Sequence, residues 1–262
     1  MRTIAAPLLL STLALGIAAP AHAAEPPPTT ATAPTTVVLV HGAFADGSSW
    51  SRVIPLLQAK GLRAVAVQNP LSSLGDDVAA VNRVVRAQPG PVVLVGHSWA
   101  GSVITQAGGD ERIKALVYVA SFAPAQGETS VDGIKGFPAA PGGAHFITDE
   151  DGFATLSPAS VATYFAQDVS AQDASLIAAT QGPVRLSSFG EPITFAAWTK
   201  KPSWYVVASK DQMIHPDAQR ALAKKIGART VVLATSHVPM LSEPQKVADV
   251  IIEAAAAAAA AK

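Results

Sequence analysis

The chain has 262 residues, of which 49% are hydrophobic and 15% are charged, and its formal net charge is zero. A chain of this length and apolar content can bury the core of one well-packed domain, and its neutrality gives no reason to expect binding to nucleic acid. It contains no cysteine, which excludes disulfide bonds and a thiol nucleophile.

The first 23 residues have the pattern of a secretory signal peptide. Met1-Arg2 is a positively charged start, residues 8–19 form an apolar core, and Ala21-His22-Ala23 matches the small-x-small pattern of a cleavage site. A membrane anchor is the alternative, but the apolar stretch is short for a span and is interrupted by polar residues. We therefore expect cleavage near Ala23, export to a bacterial periplasm or to the medium, and no stable membrane insertion afterwards.

Short apolar runs that alternate with amphipathic runs organise the rest of the chain. Residues 24–35, rich in proline and threonine, predict a flexible tether, and residues 36–262 predict one folded domain. Continuously apolar strands between helices are typical of a parallel sheet covered on both faces. The sequence therefore predicts an α/β, doubly wound, mostly parallel six-stranded sheet. The predicted strands are 36–40, 62–67, 92–95, 115–119, 204–208 and 230–233, and the predicted helices are 50–60, 74–88, 100–107 and a last one that starts at Glu243.

A long insertion separates the fourth and fifth predicted strands. Residues 121–203 are rich in Gly, Pro, Ser and aromatic residues, with short helical patterns at 158–167 and 171–179. Connections in α/β domains are usually two to six residues long, so an insertion of this length needs a reason. It leaves the carboxyl end of a central strand, beside the crevice where doubly wound sheets bind ligands. We predict a helical lid, and the alternative is a mobile surface excursion that exposes its hydrophobic residues.

The third predicted strand is followed at once by Gly96-His97-Ser98-Trp99-Ala100-Gly101 and then by a predicted helix. We interpret this strand, turn and helix as a G-x-S-x-G nucleophile elbow, a turn so sharp that only glycine is expected to fit two residues to either side of the serine. The motif alone is weakly specific, and the flanking strand and helix are the context that supports it. Ser98 is therefore the candidate nucleophile.

A serine hydroxyl needs a neighbouring base to take its proton. His237 lies in a short loop after the sixth predicted strand, at the same end of the sheet as the elbow, and is the candidate base; a solvated loop histidine is the alternative. The other five histidines fall in the signal peptide, in turn motifs, in the insertion or just after the fifth strand, and they are His22, His41, His97, His145 and His215.

The base needs a carboxylate that orients it and stabilises the imidazolium. Asp211 follows the fifth predicted strand. It gives the chain order Ser98, Asp211, His237, which is the order of nucleophile, acid and base that accompanies such an elbow. Glu128, after the fourth strand, is the competing candidate, and Asp217 is better explained as a residue at the start of a helix.

A serine that attacks a carbonyl group also needs two N–H donors where negative charge develops on the carbonyl oxygen. The backbone N–H of Trp99 follows from the elbow. The second donor is expected in the sharp turn after the first strand, with Ala43 as the best candidate and Phe44 as the next. A plain tight turn at His41-Gly42 is the alternative interpretation.

Apolar residues near these candidates predict a pocket for a small or medium apolar ester. They equally suit the core of the insertion. We found no phosphate-binding loop, metal-ligand spacing or dinucleotide motif in the sequence, so no metal or other cofactor is implied. The candidate pocket residues are Phe44, Trp99, Phe122, Met213 and Met240, with Phe137, Phe146, Tyr164 and Trp198 from the insertion.

Four stretches resemble the α/β-hydrolase superfamily, in the branch of the plant methyl-ester esterases and hydroxynitrile lyases. They are VVLVHGAFADGSSW, VVLVGHSWAG, YVASFAP and the tail KDQMIHPDAQ…SHVPMLSEPQKVADVI. The resemblance covers about residues 36–252 and implies a six-stranded sheet with Ser98 as nucleophile, Asp211 as acid, His237 as base, and Ala43 and Trp99 as oxyanion donors.

Two positions depart from the lyases of that branch. Those lyases carry a lysine directly after the catalytic histidine, where this chain has Val238, and a hydroxyl or bulky aliphatic residue where it has Ala43. The resemblance therefore favours a secreted serine esterase over a lyase. A lactone or amide hydrolase or a perhydrolase with the same three residues remains open, as does a binding protein with little turnover. The oligomeric state is not readable from the sequence.

Overall fold

The computed structural model describes residues 33–260, so the predicted signal peptide and most of the predicted tether lie outside the described residues. The strands in that range are β1 (Thr36–Val40), β2 (Arg63–Val67), β3 (Val92–His97), β4 (Ile113–Val119), β5 (Phe146–Thr148), β6 (Phe153–Leu156), β7 (Val184–Arg185), β8 (Ser203–Ala208) and β9 (Arg229–Leu233). The α-helices are α1 (Ile54–Gln58), α2 (Leu74–Arg86), α3 (Ala100–Ala107), α4 (Pro158–Ser160), α5 (Ala171–Thr180), α6 (Pro216–Lys225), α7 (Pro239–Ser242) and α8 (Pro244–Ala260).

Six parallel strands form the central sheet in the order β2-β1-β3-β4-β8-β9. Every residue of β1, β3 and β8 is buried, because helices flank the sheet. This explains why these strands are mostly apolar instead of alternating between apolar and polar residues. Burial decreases towards the edge, where β9 buries only Leu233. The predicted six-stranded parallel α/β sheet is confirmed.

The insertion between β4 and β8 is a mixture of short elements. The predicted helical patterns correspond to α4 with the π-helix Val161–Phe165 and to α5. A small antiparallel sheet of β5, β6 and β7 accompanies them, and the sequence did not predict it. That the insertion acts as a lid stays a prediction.

The helix predicted for residues 50–60 is shorter than expected. A 3₁₀ turn covers Gly47–Trp50, and α1 begins only at Ile54, with Pro55 in its first turn. Proline lacks an N–H and is accepted where a helix begins, so it sets the start of α1. None of the helices within residues 33–260 has the length and hydrophobicity needed to cross a membrane.

Candidate active site

Ser98 stands between the end of β3 and the start of α3 in a strained backbone conformation, with φ of +54°. This left-handed region is unfavourable for a residue with a side chain and persists only where the surroundings enforce it. Its N–H donates to the carbonyl oxygen of Val119 at 3.1 Å. Its own carbonyl accepts the Ser121 hydroxyl at 2.7 Å and the Phe122 N–H at 3.2 Å. The turn is therefore fixed on both sides of the serine.

Close backbone contacts explain two glycines of the elbow. A Cβ on Gly96 would lie 2.7 Å from the Ala100 carbonyl oxygen, and one on Gly101 would lie 1.9 Å from the Phe122 oxygen. The expectation of glycine two residues after Ser98 was wrong, because Ala100 occupies that position. The second indispensable glycine is instead one residue later, where α3 approaches the end of β4.

Ser98, His237 and Asp211 form a continuous chain of hydrogen bonds. The Ser98 Oγ lies 2.8 Å from His237 Nε2, and His237 Nδ1 lies 2.6 Å from Asp211 Oδ2. A nitrogen that faces a carboxylate must carry the hydrogen, so Nδ1–H donates to Asp211 and Nε2 is free to accept the serine proton. The structure thus brings the three predicted residues together in the geometry that general-base catalysis requires.

The Asp211 carboxylate is buried and accepts four hydrogen bonds. Oδ1 accepts the N–H groups of Met213 at 2.7 Å and Ile214 at 3.0 Å, and Oδ2 accepts Gln219 Nε2 at 2.6 Å in addition to His237. A buried carboxylate is stable only with such partners. Gln219 was missed by sequence reasoning, since a glutamine within α6 has no local signal of this contact.

His97 holds the backbone of the candidate base. Its Nε2 lies 2.7 Å from the His237 carbonyl oxygen, so Nε2–H donates there. Burial, and next the neighbouring His237, keep the pKa of His97 well below its usual value, so His97 is neutral. The sequence assigned this residue only to a turn, whereas it fixes the loop that carries His237.

The loop after β1 brings Ala43 and Phe44 to the elbow. A Cβ on Gly42 would lie 2.8 Å from the Ser98 Cβ, so only glycine lets the loop approach the serine this closely. Phe44 turns the chain with φ of +57°. Within the described residues neither the Ala43 nor the Trp99 N–H donates to a backbone carbonyl, which is compatible with their predicted role as donors to a substrate oxygen.

Above Ser98 lies a mainly apolar cavity of about 250 Å³. The side chains of Phe44, Phe122, Phe146 and Met213 lie in its wall as predicted. A second recess of about 520 Å³, lined in part by Phe137, shares Met213 and Ile214 with the wall of the first. Ser98 and His237 are the polar side chains that face the inner cavity.

Four predicted pocket residues line neither the cavity nor the second recess, and they are Trp99, Tyr164, Trp198 and Met240. Trp99 is buried behind the wall residue Phe189. Met240 is fully buried in the hydrophobic core, because α7 carries it away from the cavity. Trp198 packs on the edge of the core and donates its indole N–H to the Pro124 carbonyl at 2.9 Å. Tyr164 is also outside the cavity wall and stacks on His145, with ring centroids 4.3 Å apart.

The competing acids have other partners. The Glu128 carboxylate forms an ion pair with Lys225 and accepts the Ala125 N–H. Asp217 lies in the first turn of α6 and pairs with Arg220 at 2.9 Å. Within residues 33–260, no group of three or more His, Asp or Glu side chains is arranged to hold a metal ion.

Comparison with known protein families covers the part of the chain that contains these residues. The model of the alpha/beta hydrolase family matches residues 37–250 of the chain. The chain belongs to this family. The family relationship that the sequence motifs suggested is therefore confirmed, and the elbow and the following loops lie inside the matched range.

Relatives of this alpha/beta hydrolase include hydrolases and esterases. It is 28% identical to the probable hydrolase R7 of a Phoma species, over 84% of this chain and 97% of that protein. It is 25% identical to methylesterase 8 of Arabidopsis thaliana, over 81% of this chain and 86% of that protein. The structure of polyneuridine aldehyde esterase has the same fold, with a TM-score of 0.74 and 21% identity over 84% of this chain and 98% of that chain.

Proposed function

We propose that this alpha/beta hydrolase cleaves a neutral, small to medium apolar carboxylic ester through an acyl-enzyme, without a cofactor. The observation that carries the proposal is the Ser98–His237–Asp211 chain of hydrogen bonds at the floor of an apolar cavity. Such a cavity favours an uncharged substrate, because a charged group would lose its hydration there. Relatives that are named esterases support the reaction class.

In this mechanism Ser98 Oγ attacks the ester carbonyl carbon while His237 Nε2 takes the hydroxyl proton. The carbonyl electrons move to its oxygen, which accepts the N–H groups of Ala43 and Trp99. The tetrahedral intermediate collapses, and the alkoxide leaves with the proton from His237. Water then attacks the acyl group, His237 again takes and returns a proton, and the acid leaves as Ser98 regains its hydrogen. Asp211 holds the imidazole in the required tautomer.

In this proposal the insertion acts as the lid of the cavity. The proposal also includes export of the enzyme before it acts. Phe146, Leu186 and Phe189 from the insertion stand in the cavity wall, and residues 1–23 carry the signal pattern. Lactone or amide hydrolysis and perhydrolysis use the same three residues, so they are outcomes of the experiment that follows.

The test is hydrolysis of p-nitrophenyl esters with acyl chains of two to twelve carbons. We expect turnover that is highest for a short chain and a kcat at least about 1,000-fold lower in Ser98→Ala. Ser51→Ala, at an exposed serine, is the matched control and should keep wild-type activity. A fluorophosphonate should label Ser98 covalently in the wild type.

Absence of both turnover and label in the folded wild-type protein would overturn the hydrolase mechanism and favour a binding protein. Labelling of Ser98 without turnover of any ester would overturn the ester proposal and direct attention to lactones and amides.

A further inference from the structure

A second buried carboxylate lies outside the Ser98–His237–Asp211 chain. Asp77, in the first turn of α2, is completely buried. Its Oδ2 accepts the indole N–H of Trp99 at 2.7 Å, and its Oδ1 accepts the backbone N–H of Leu71 at 2.8 Å. Burial of a carboxylate is costly unless its hydrogen bonds are made. The two residues that donate to it, Trp99 and Leu71, connect it to the candidate oxyanion hole.

The first partner is the residue that follows the nucleophile. Trp99 is 1% exposed, and its indole N–H donates to Asp77. The face of its ring meets Phe189 of the cavity wall, with ring centroids 4.9 Å apart. The side chain is thus held at two points, which restrains the Cα of Trp99 and, through it, the peptide N–H beside Ser98.

The second partner leads to the loop that carries Ala43. Leu71 has φ of +58°, so its N–H bond to Asp77 stabilises a strained turn after β2. Two residues earlier, the Asn69 N–H donates to His41 Nε2 at 2.9 Å, and Asn69 Nδ2 donates to the His41 carbonyl at 3.2 Å. His41 begins the turn to Ala43. The turn that Asp77 holds therefore supports the position of the second donor.

We propose that Asp77 is a positioning residue for the oxyanion hole, which holds the Trp99 donor through its indole and the Ala43 donor through the Leu71–Asn69–His41 contacts. This role rests on the proposed ester hydrolysis. Burial raises the pKa of Asp77 to about 6, and the hydrogen bonds from Trp99 and Leu71 oppose that rise. At neutral pH the carboxylate is therefore mostly ionised and accepts from both partners at once.

The experiment compares Asp77→Asn with wild type. The two N–H groups donate to different oxygens of the carboxylate. Asparagine replaces one of these oxygens by an NH₂ group, so one of the two donors loses its acceptor. We expect kcat for a p-nitrophenyl ester to fall about 10- to 100-fold, in the range of losses at oxyanion holes, with KM changed by less than about threefold. The affinity for a boronic acid, which mimics the tetrahedral intermediate, should fall by the same factor as kcat/KM.

The matched control is Asp76→Asn, which removes the same charge one residue away at an exposed side chain. It should leave kcat within about twofold of wild type, since surface substitutions have small effects. Trp99→Phe keeps an aromatic side chain and the backbone N–H but removes the indole N–H donor. It should reproduce part of the loss in kcat, and it keeps the proposal testable if Asp77→Asn does not fold.

The double variant Asp77→Asn with Trp99→Phe distinguishes a positioning role from a general loss of structure. If Asp77 acts through Trp99, Trp99→Phe should cost much less in the Asp77→Asn background than in wild type. The role is refuted by unchanged kcat in folded Asp77→Asn or Trp99→Phe, by strictly multiplicative losses, or by a kcat loss with unchanged boronic-acid affinity. An inactive wild type would instead refute the ester hydrolysis on which the role rests.

Discussion

At the scale of single residues, the surroundings of Asp211 decide how well His237 is oriented. The carboxylate uses both oxygens fully, and the Gln219 amide donates to the same Oδ2 that faces His237. Gln219 also donates to the Ile214 carbonyl at 2.9 Å and accepts the Ala208 N–H at 2.9 Å. One completely buried side chain thereby joins β8, the loop after it and α6.

Replacement of Gln219 by methionine keeps the volume of the side chain and removes its hydrogen bonds. We expect the free energy of unfolding to fall by about 1–3 kcal/mol, because buried groups lose their partners, and kcat to fall about tenfold as Asp211 moves. Urea unfolding and ester turnover measure the two effects. Gln245→Met, at an exposed position of α8, is the control. Wild-type values for Gln219→Met would show that the contact is dispensable.

The sequence predicted the three residues that the structure joins by hydrogen bonds, and it missed residues that hold them in place. Ser98 and His237 are marked by a motif and by their places at strand ends, which are local signals. Asp77 and Gln219 sit inside helices, where helical periodicity predicts a buried face but not a partner from another element. Their contacts arise only when α2 packs beside α3 and α6 packs on β8.

At the scale of elements, the sharp strand-to-helix turn depends on how closely α3 approaches the end of β4. A Cβ on Gly101 would lie 1.9 Å from the Phe122 oxygen and 2.0 Å from the Ser121 Oγ, and both residues hydrogen bond to the Ser98 carbonyl. If α3 moved away from the end of β4, the hydrogen bonds from Ser121 and Phe122 to the Ser98 carbonyl would break, and the strained backbone of Ser98 would relax.

Alanine at Gly101 should therefore lower the free energy of unfolding by about 2 kcal/mol or more and abolish most of the ester turnover. Gly75→Ala is the matched control, because Gly75 also lies at the start of a helix but its Cβ would meet nothing closer than the Ser73 Oγ at 3.8 Å. That change should stabilise the protein by up to about 1 kcal/mol. Equal stability of the two variants in urea would contradict the steric explanation.

Elements with a long pattern were predictable, and very short ones were not. The apolar runs of β1 and β3 and the helical period of α2 extend over five or more residues. The strands β5, β6 and β7 have two to four residues each, too few for a period of two to stand out from chance. Tertiary pairing within the insertion creates this sheet.

At the scale of the whole molecule, the predicted export concerns residues 1–23. Expression of the full sequence in a bacterial host should yield a protein that begins near Ala24, since signal peptidases cut after a small-x-small pattern. Intact mass of the periplasmic or medium fraction measures this directly. Ala23→Arg should prevent the cut and leave the full-length mass. An uncut wild-type chain that stays in the cell would contradict export.

Under the proposed ester hydrolysis, the uncharged cavity also has a consequence for the release of the product. Hydrolysis converts a neutral ester into a carboxylic acid, which ionises at neutral pH. The described residues that line the cavity include no lysine or arginine, so the new anion finds no cation there to replace its lost hydration. Water solvates the product better than the protein does. We therefore expect the acid to leave the cavity readily and accumulated product to compete poorly with fresh ester.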